Sequence, residues 1–122
     1  MGRLFNDNDG MDEDNCLMMY NSDYSFYKLV LETFQQDAVR TLEGMKETFA
    51  AKDAENYRIL VHGLKGAGGS AGALHLVEMA TESNQLLKDG ETEKAYALHE
   101  PIVKELERLI EIIPERIKSH TD

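Results

Sequence analysis

Between Asp23 and Phe49 the apolar residues fall where one face of a long helix requires them. Tyr27, Val30, Leu31, Phe34, Ala38, Leu42, Met45 and Phe49 recur at steps of three and four, the spacing that keeps side chains on one side of a 3.6-residue repeat. The pattern predicts an amphipathic helix of about 27 residues. A stripe of that length must be covered, and the rest of the chain repeats the same period. Asp53 reads as the N-cap of a helix carrying Tyr57, Leu60, Val61, Leu64 and Gly68. The next is built on Leu74, Val77, Met79, Ala80, Leu86 and Leu87 and stops at Lys88-Asp89-Gly90, with a cation in the last turn and glycine beyond it. The last segment begins near Thr92 and carries Ala95, Leu98, Ile102, Leu106, Leu109, Ile113 and Ile117. Pro101 should kink it or split off a short leading helix, and Pro114 should act likewise near its end. Ahead of all these, Asp12 or Asp14 caps a short helix with Leu17, Met18 and Tyr20, broken at Asn21-Ser22-Asp23. No segment alternates with period two and the links are short. The expected fold is therefore all-α: an antiparallel up-down four-helix bundle with a short extra N-terminal helix, spanning residues 12–119 behind a flexible acidic segment 1–11.

Composition narrows the function classes. At 122 residues the chain is one domain, and its formal net charge of −10 argues against a nucleic-acid partner, which calls for a basic face. One cysteine, Cys16, allows no internal disulfide and suggests no cysteine-based zinc site; it reads as a small, partly buried filler. No apolar run approaches the roughly 18 residues of a membrane span, and Met1 to Asp14 lacks the basic-then-apolar order of a signal peptide. A cytoplasmic, monomeric protein without a metal or cofactor of its own is expected. His75, His99 and His120 read as surface residues, and Met18, Met19, Met45 and Met79 as packing residues.

One stretch resists a purely structural reading: His62-Gly63-Leu64-Lys65-Gly66-Ala67-Gly68-Gly69-Ser70-Ala71-Gly72. Each glycine inside a helix costs roughly 1 kcal/mol relative to alanine, so a glycine cluster here has a reason other than stability. On a helical wheel His62 lies roughly 130° from the centre of the apolar stripe, with Lys65, Gly66 and Gly69 on the same outer face. Gly68 turns toward the bundle, and Gly72 closes the helix. A free imidazole titrates near pH 6.5, so at neutral pH a ring nitrogen is available as a nucleophile. A lysine one turn away offsets the charge of a transferred phosphoryl group. The bare glycine surface lets another protein approach. Together these suit phosphoryl transfer between proteins.

The chain resembles the histidine-containing phosphotransfer (HPt) domains of two-component phosphorelays. Their motif, His-x-Leu-Lys-Gly with a further glycine six residues on, is matched by His62, Leu64, Lys65, Gly66 and Gly72, and the likeness extends over roughly residues 14 to 113. The resemblance implies that His62 takes a phosphoryl group from a receiver-domain aspartate and passes it to another. It implies that Lys65 neutralises phosphate charge and that Gly66, with Gly69, leaves room for the receiver. In the family a polar residue on the following helix orients the imidazole. The ungapped match is Asn84, a shorter acceptor than the usual Glu or Gln, with Gln85 beside it and Lys88 one turn on, where either could face the receiver. Gly63 and the Gly68-Gly69 pair depart from the usual pattern. The partners implied are response-regulator receiver domains and, beyond them, a hybrid sensor histidine kinase. The Mg²⁺ for transfer would sit in the receiver, and nothing here resembles an ATP-dependent kinase site.

Two other readings compete. Gly66-Ala67-Gly68-Gly69-Ser70-Ala71 fits the G-x-G-x-x-A of dinucleotide-binding folds, with Ile59-Leu60-Val61 as the strand before it. That fingerprint needs a βαβ context, and the acidic residues about 20 positions on, Glu78 and Glu82, fall in a helical pattern. The other reading keeps the bundle as a docking module in which His62 carries no phosphate. A metal site on His62 and His75 lacks a third ligand.

Overall fold

The computed structural model describes residues 2–120. Six α-helices follow a 3₁₀ turn at Asp7–Asp9: α1 (Glu13–Met19), α2 (Tyr24–Ala50), α3 (Ala54–Ala71), α4 (Leu74–Lys88), α5 (Thr92–Tyr96) and α6 (His99–Ser119). The four long helices α2, α3, α4 and α6 pack as a ring in that order, and α6 closes back on α2. Short links make successive members antiparallel. The bundle expected from the periodicity is the bundle found. Among the described residues there is no strand, only an isolated bridge between Met11 and Ala73. Ile59-Leu60-Val61 lies inside α3, which removes the strand that a dinucleotide fingerprint requires.

The helix starts follow from aspartates. Asp12, Asp23 and Asp53 each accept a hydrogen bond from the backbone N–H three residues on, at 3.4, 3.1 and 3.2 Å, which satisfies a donor that the first turn leaves free. Pro101 sits in the first turn of α6, where a missing N–H costs no helical bond, and the short α5 precedes it. Pro114 splits nothing off: α6 runs on through it to Ser119. The proline frees the carbonyl of Ile110, four residues back, and Gln35 of α2 donates its side-chain amide to that oxygen at 3.4 Å.

Tyr27, Leu31 and Met45 of α2, Tyr57 and Val61 of α3, Leu76 of α4, and Ile102, Leu106, Leu109 and Ile113 of α6 form the centre of the core. Three expectations need correction. Over its described residues the N-terminal segment is no loose tail, because Leu4 and Phe5 are buried in the core. The fully buried carboxylate of Glu13 accepts the backbone N–H groups of Leu4 and Phe5, both at 2.8 Å, and the Tyr24 hydroxyl at 2.5 Å. The Asp9 carboxylate accepts Arg116 at 2.9 and 3.1 Å, and the Arg108 guanidinium donates to the Asp9 carbonyl at 2.7 Å. Second, Met18 and Met19 are 79% and 52% exposed instead of packed. Third, His99 is buried: its ring stacks on Phe49 at 3.8 Å, and its Nδ1 lies 2.8 Å from the Tyr57 hydroxyl. Burial lowers the His99 pKa and raises that of Tyr57. Both shifts favour a neutral pair in which the phenol donates and Nδ1 accepts.

Candidate functional site

Helix α3 carries the site. Its buried residues, Tyr57, Val61, Leu64, Gly68 and Ala71, lie along the stripe read from the sequence. His62, one position off that stripe, is exposed, as are Gly63, Gly66, Gly69 and Ser70, while Lys65 is partly buried. His62 makes no hydrogen bond, ion pair or ring contact among the described residues, and neither does Lys65. The imidazole is unengaged, with a free ammonium one turn along the same face.

The glycines divide as the wheel suggests. A β-carbon at Gly68 would lie 3.1 Å from Val77 Cγ2, so glycine there eases the close approach of α3 and α4. At Gly72 the backbone is left-handed, φ +83°, and a β-carbon would meet Cys16 Sγ at 2.8 Å. Around Gly66 and Gly69 nothing stands within 4 Å of where a β-carbon would be. The protein's own packing gives no reason for glycine at these two positions. What they provide is a helix surface without side chains beside His62.

The glycine-rich end of α3 is held from outside the helix. The Tyr20 hydroxyl donates to the Ser70 carbonyl and the Tyr27 hydroxyl to the Ala71 carbonyl, both at 2.8 Å. The Asp12 N–H donates to the Gly72 carbonyl at 2.8 Å, and the Leu74 N–H to Gly10 at 3.1 Å. The last-turn carbonyls, which a helix leaves without internal partners, are thus met by α1, the start of α2 and the N-terminal strap. This fixes a helix that its own glycines would loosen.

The residues expected on α4 behave differently from one another. Asn84 is 2% exposed, on the buried stripe with Leu76, Ala80 and Ser83, and its Oδ1 has no hydrogen-bond partner. It makes no hydrogen bond with His62, because α4 turns it toward the bundle while α3 turns His62 to solvent. Gln85 and Lys88 are exposed; the Gln85 amide donates to Asp89 at 3.1 Å, and Lys88 has no ion-pair partner among the described residues. Also among these residues, no three His, Cys, Asp or Glu side chains gather as a metal site, and no helix is long and apolar enough to cross a membrane.

One feature escaped the sequence reading. A shallow apolar groove of about 400 Å³ runs between α2 and α3, lined by Tyr20, Phe26, Leu29, Phe34, Ala67 and Ser70 among others. Phe26 and Leu29 are 47% and 58% exposed. They fall off the apolar stripe of α2, and that was the available signal: large apolar residues on the face that should be polar.

A family model described as the Hpt domain matches residues 29–113. No curated protein matches. A crystal structure of histidine-containing phosphotransfer protein B from Pseudomonas aeruginosa PAO1 superposes with a TM-score of 0.77 at 24% identity, covering 91% of this chain and 97% of that one. At that identity the likeness speaks to the fold.

Proposed function

Since the chain belongs to the Hpt domain family, we propose that it is a phosphocarrier of a two-component phosphorelay in which His62 is the phosphoacceptor. The donor is an aspartyl phosphate on a receiver domain. A lone pair on the His62 ring attacks phosphorus and forms the N–P bond. The P–O bond to the aspartyl carboxylate breaks, and that carboxylate leaves with the bonding electrons. The onward step reverses this on a second receiver. Such a reaction needs positioning and charge stabilisation more than covalent machinery, so this chain supplies a nucleophile, a cation and a surface, and the receiver supplies the Mg²⁺ site.

The observation that carries the reading is the unengaged His62 beside Gly66 and Gly69, whose surroundings are open to 4 Å. A receiver active site is recessed around its aspartate and reaches a histidine only where neighbouring side chains stand aside. Lys65, three residues on, offsets the charge of the phosphoryl group in flight. Gly66, Gly69, Gln85 and Lys88 form the receiver-facing surface, and the groove at Phe26 and Leu29 extends it on the α2 side. Asn84, turned into the bundle by α4, has no part in this proposal.

The test is transfer from a phosphorylated receiver. Wild-type protein should acquire acid-labile, base-stable label, and His62→Gln should acquire none. Lys65→Gln should slow transfer about tenfold, the effect of losing one charge contact to a transferring phosphoryl group. Unlabelled wild-type protein with several receivers would favour a docking module instead.

A further inference from the structure

The reading of His62 as phosphoacceptor leaves one neighbouring residue unused. Arg58 lies one turn before His62 on α3 and Lys65 one turn after it; they sit about 40° and about 60° around the helix to the same side of the imidazole, so the two cations share one face. Side chains on a helix lean toward its N-terminus, so the imidazole extends over the turn that holds Arg58. We infer that Arg58 binds the phosphoryl group carried by His62, so that the group is bracketed along the helix axis by a guanidinium one turn toward the N-terminus and the Lys65 ammonium one turn toward the C-terminus. The inference rests on that reading of His62.

Its main support is a pattern of pairing. The chain has 23 acidic residues against 13 basic ones, and most arginines find a carboxylate. Arg3 pairs with Asp14 at 2.7 Å, Arg40 with Asp37, Arg108 with Glu105 at 2.7 Å and Arg116 with Asp9 at 2.9 Å. Arg58 alone among the arginines has no ion pair or hydrogen bond with any described residue. The acidic residues on its own helix do not engage it. Asp53 is occupied as the N-cap, accepting Asn56 Nδ2 at 2.7 Å, and Glu55, three residues before Arg58, makes no ion pair. In so acidic a chain, an arginine without a carboxylate beside the nucleophile is available for an incoming anion. The guanidinium also suits phosphate by shape, since its planar fork donates two parallel N–H bonds to two phosphoryl oxygens.

Phosphoramidate provides a test that needs no receiver: the His62 N–P bond forms as the P–N bond to ammonia breaks, and ammonia leaves. On phosphorylation the Arg58 side-chain N–H resonance of the wild-type protein should shift in the ¹⁵N–¹H spectrum. A ³¹P titration should show the phosphoryl group binding its last proton about threefold more tightly in Arg58→Gln than in wild type, the scale of one partly exposed charge contact. Arg58→Lys should fall between, and Lys104→Gln, an equal change in net charge on α6, should match wild type. An unmoved Arg58 resonance, an Arg58→Gln titration equal to wild type, or an equal effect from Lys104→Gln would each overturn the inference. If receivers exchange no phosphate but the chemically phosphorylated protein shows the Arg58 effect, the relay function fails and the phosphate bracket stands.

Discussion

Glu13 gives the sharpest handle on why the N-terminal segment is ordered. Both of its buried oxygens accept: Oε1 takes the Phe5 N–H, while Oε2 takes the Leu4 N–H and the Tyr24 hydroxyl. Glutamine keeps the shape and one oxygen but turns an amide, itself a donor, toward the remaining donors. Losing one charge-assisted hydrogen bond and leaving a buried N–H unpaired costs about 3 kcal/mol. The alternative route is detachment of the strap, which returns Leu4 and Phe5 to water at about 2 kcal/mol each. The cheaper route sets the loss, about 3 kcal/mol for Glu13→Gln. In a domain of this size that lowers the melting temperature by roughly 12 °C. Urea unfolding followed by far-UV circular dichroism measures the loss, and hydrogen exchange at the Leu4 and Phe5 amides shows whether the strap has opened. Asp14→Asn is the control. It removes only the exposed partner of Arg3 and should cost under about 1 kcal/mol. A loss below about 1 kcal/mol in Glu13→Gln, with unchanged exchange at both amides, would refute the reasoning.

Further outcomes follow from His99 and from the glycines. Burial holds the native His99 ring below the ordinary 6.5, so as pH falls the unfolded chain takes up this proton first. Stability is full above pH 6.5, falls below it until the native ring also protonates, and should fall less in His99→Gln; urea midpoints at pH 7.5 and 5.5 would show it. Asp9, held below 3.8 chiefly by its bond to Arg116, acts in a separate acid window: its contribution is present above 3.8 and is lost on further acidification. Gly66→Ala should raise stability by about 0.5–1 kcal/mol through helix propensity while slowing transfer from a receiver. Gly68→Ala should gain less stability than Gly66→Ala, because its new methyl meets Val77 Cγ2 at 3.1 Å. A Gly66→Ala protein that transfers at the wild-type rate would remove the argument for a bare docking surface.

The bundle was legible because its determinants are local. A stripe such as Tyr27 to Phe49 needs only its own period, and Asp23, Asp53 and Gly72 mark helix ends within a turn of themselves. The exposure of His62 was legible for the same reason: one helix fixes which face it shares with Lys65, Gly66 and Gly69. What escaped depends on partners distant in sequence. Nothing near Leu4 and Phe5 announces their burial, since an acidic, Asn-rich segment reads as solvated until Glu13 and Tyr24 are seen to hold it. His99 sits inside because Phe49 and Tyr57 come from other helices to cover it. Pro114 is tolerated because Gln35, on another helix, takes over the freed carbonyl of Ile110. Asn84 shows the limit of transferring a role by position alone, since the ungapped match lands on the buried face of α4.

The central claim is that the exposed imidazole of His62 carries the phosphoryl group, and the most direct measurement is to locate that group. The protein would be incubated with a phosphorylated receiver and Mg²⁺, quenched at alkaline pH, and sequenced by mass spectrometry under conditions that preserve N–P bonds. The account predicts one phosphorylated peptide, spanning Arg58 to Gly72, with the added mass on His62 and none in His62→Gln. Phosphate on His75, His99 or His120, or undiminished labelling of His62→Gln, would contradict it.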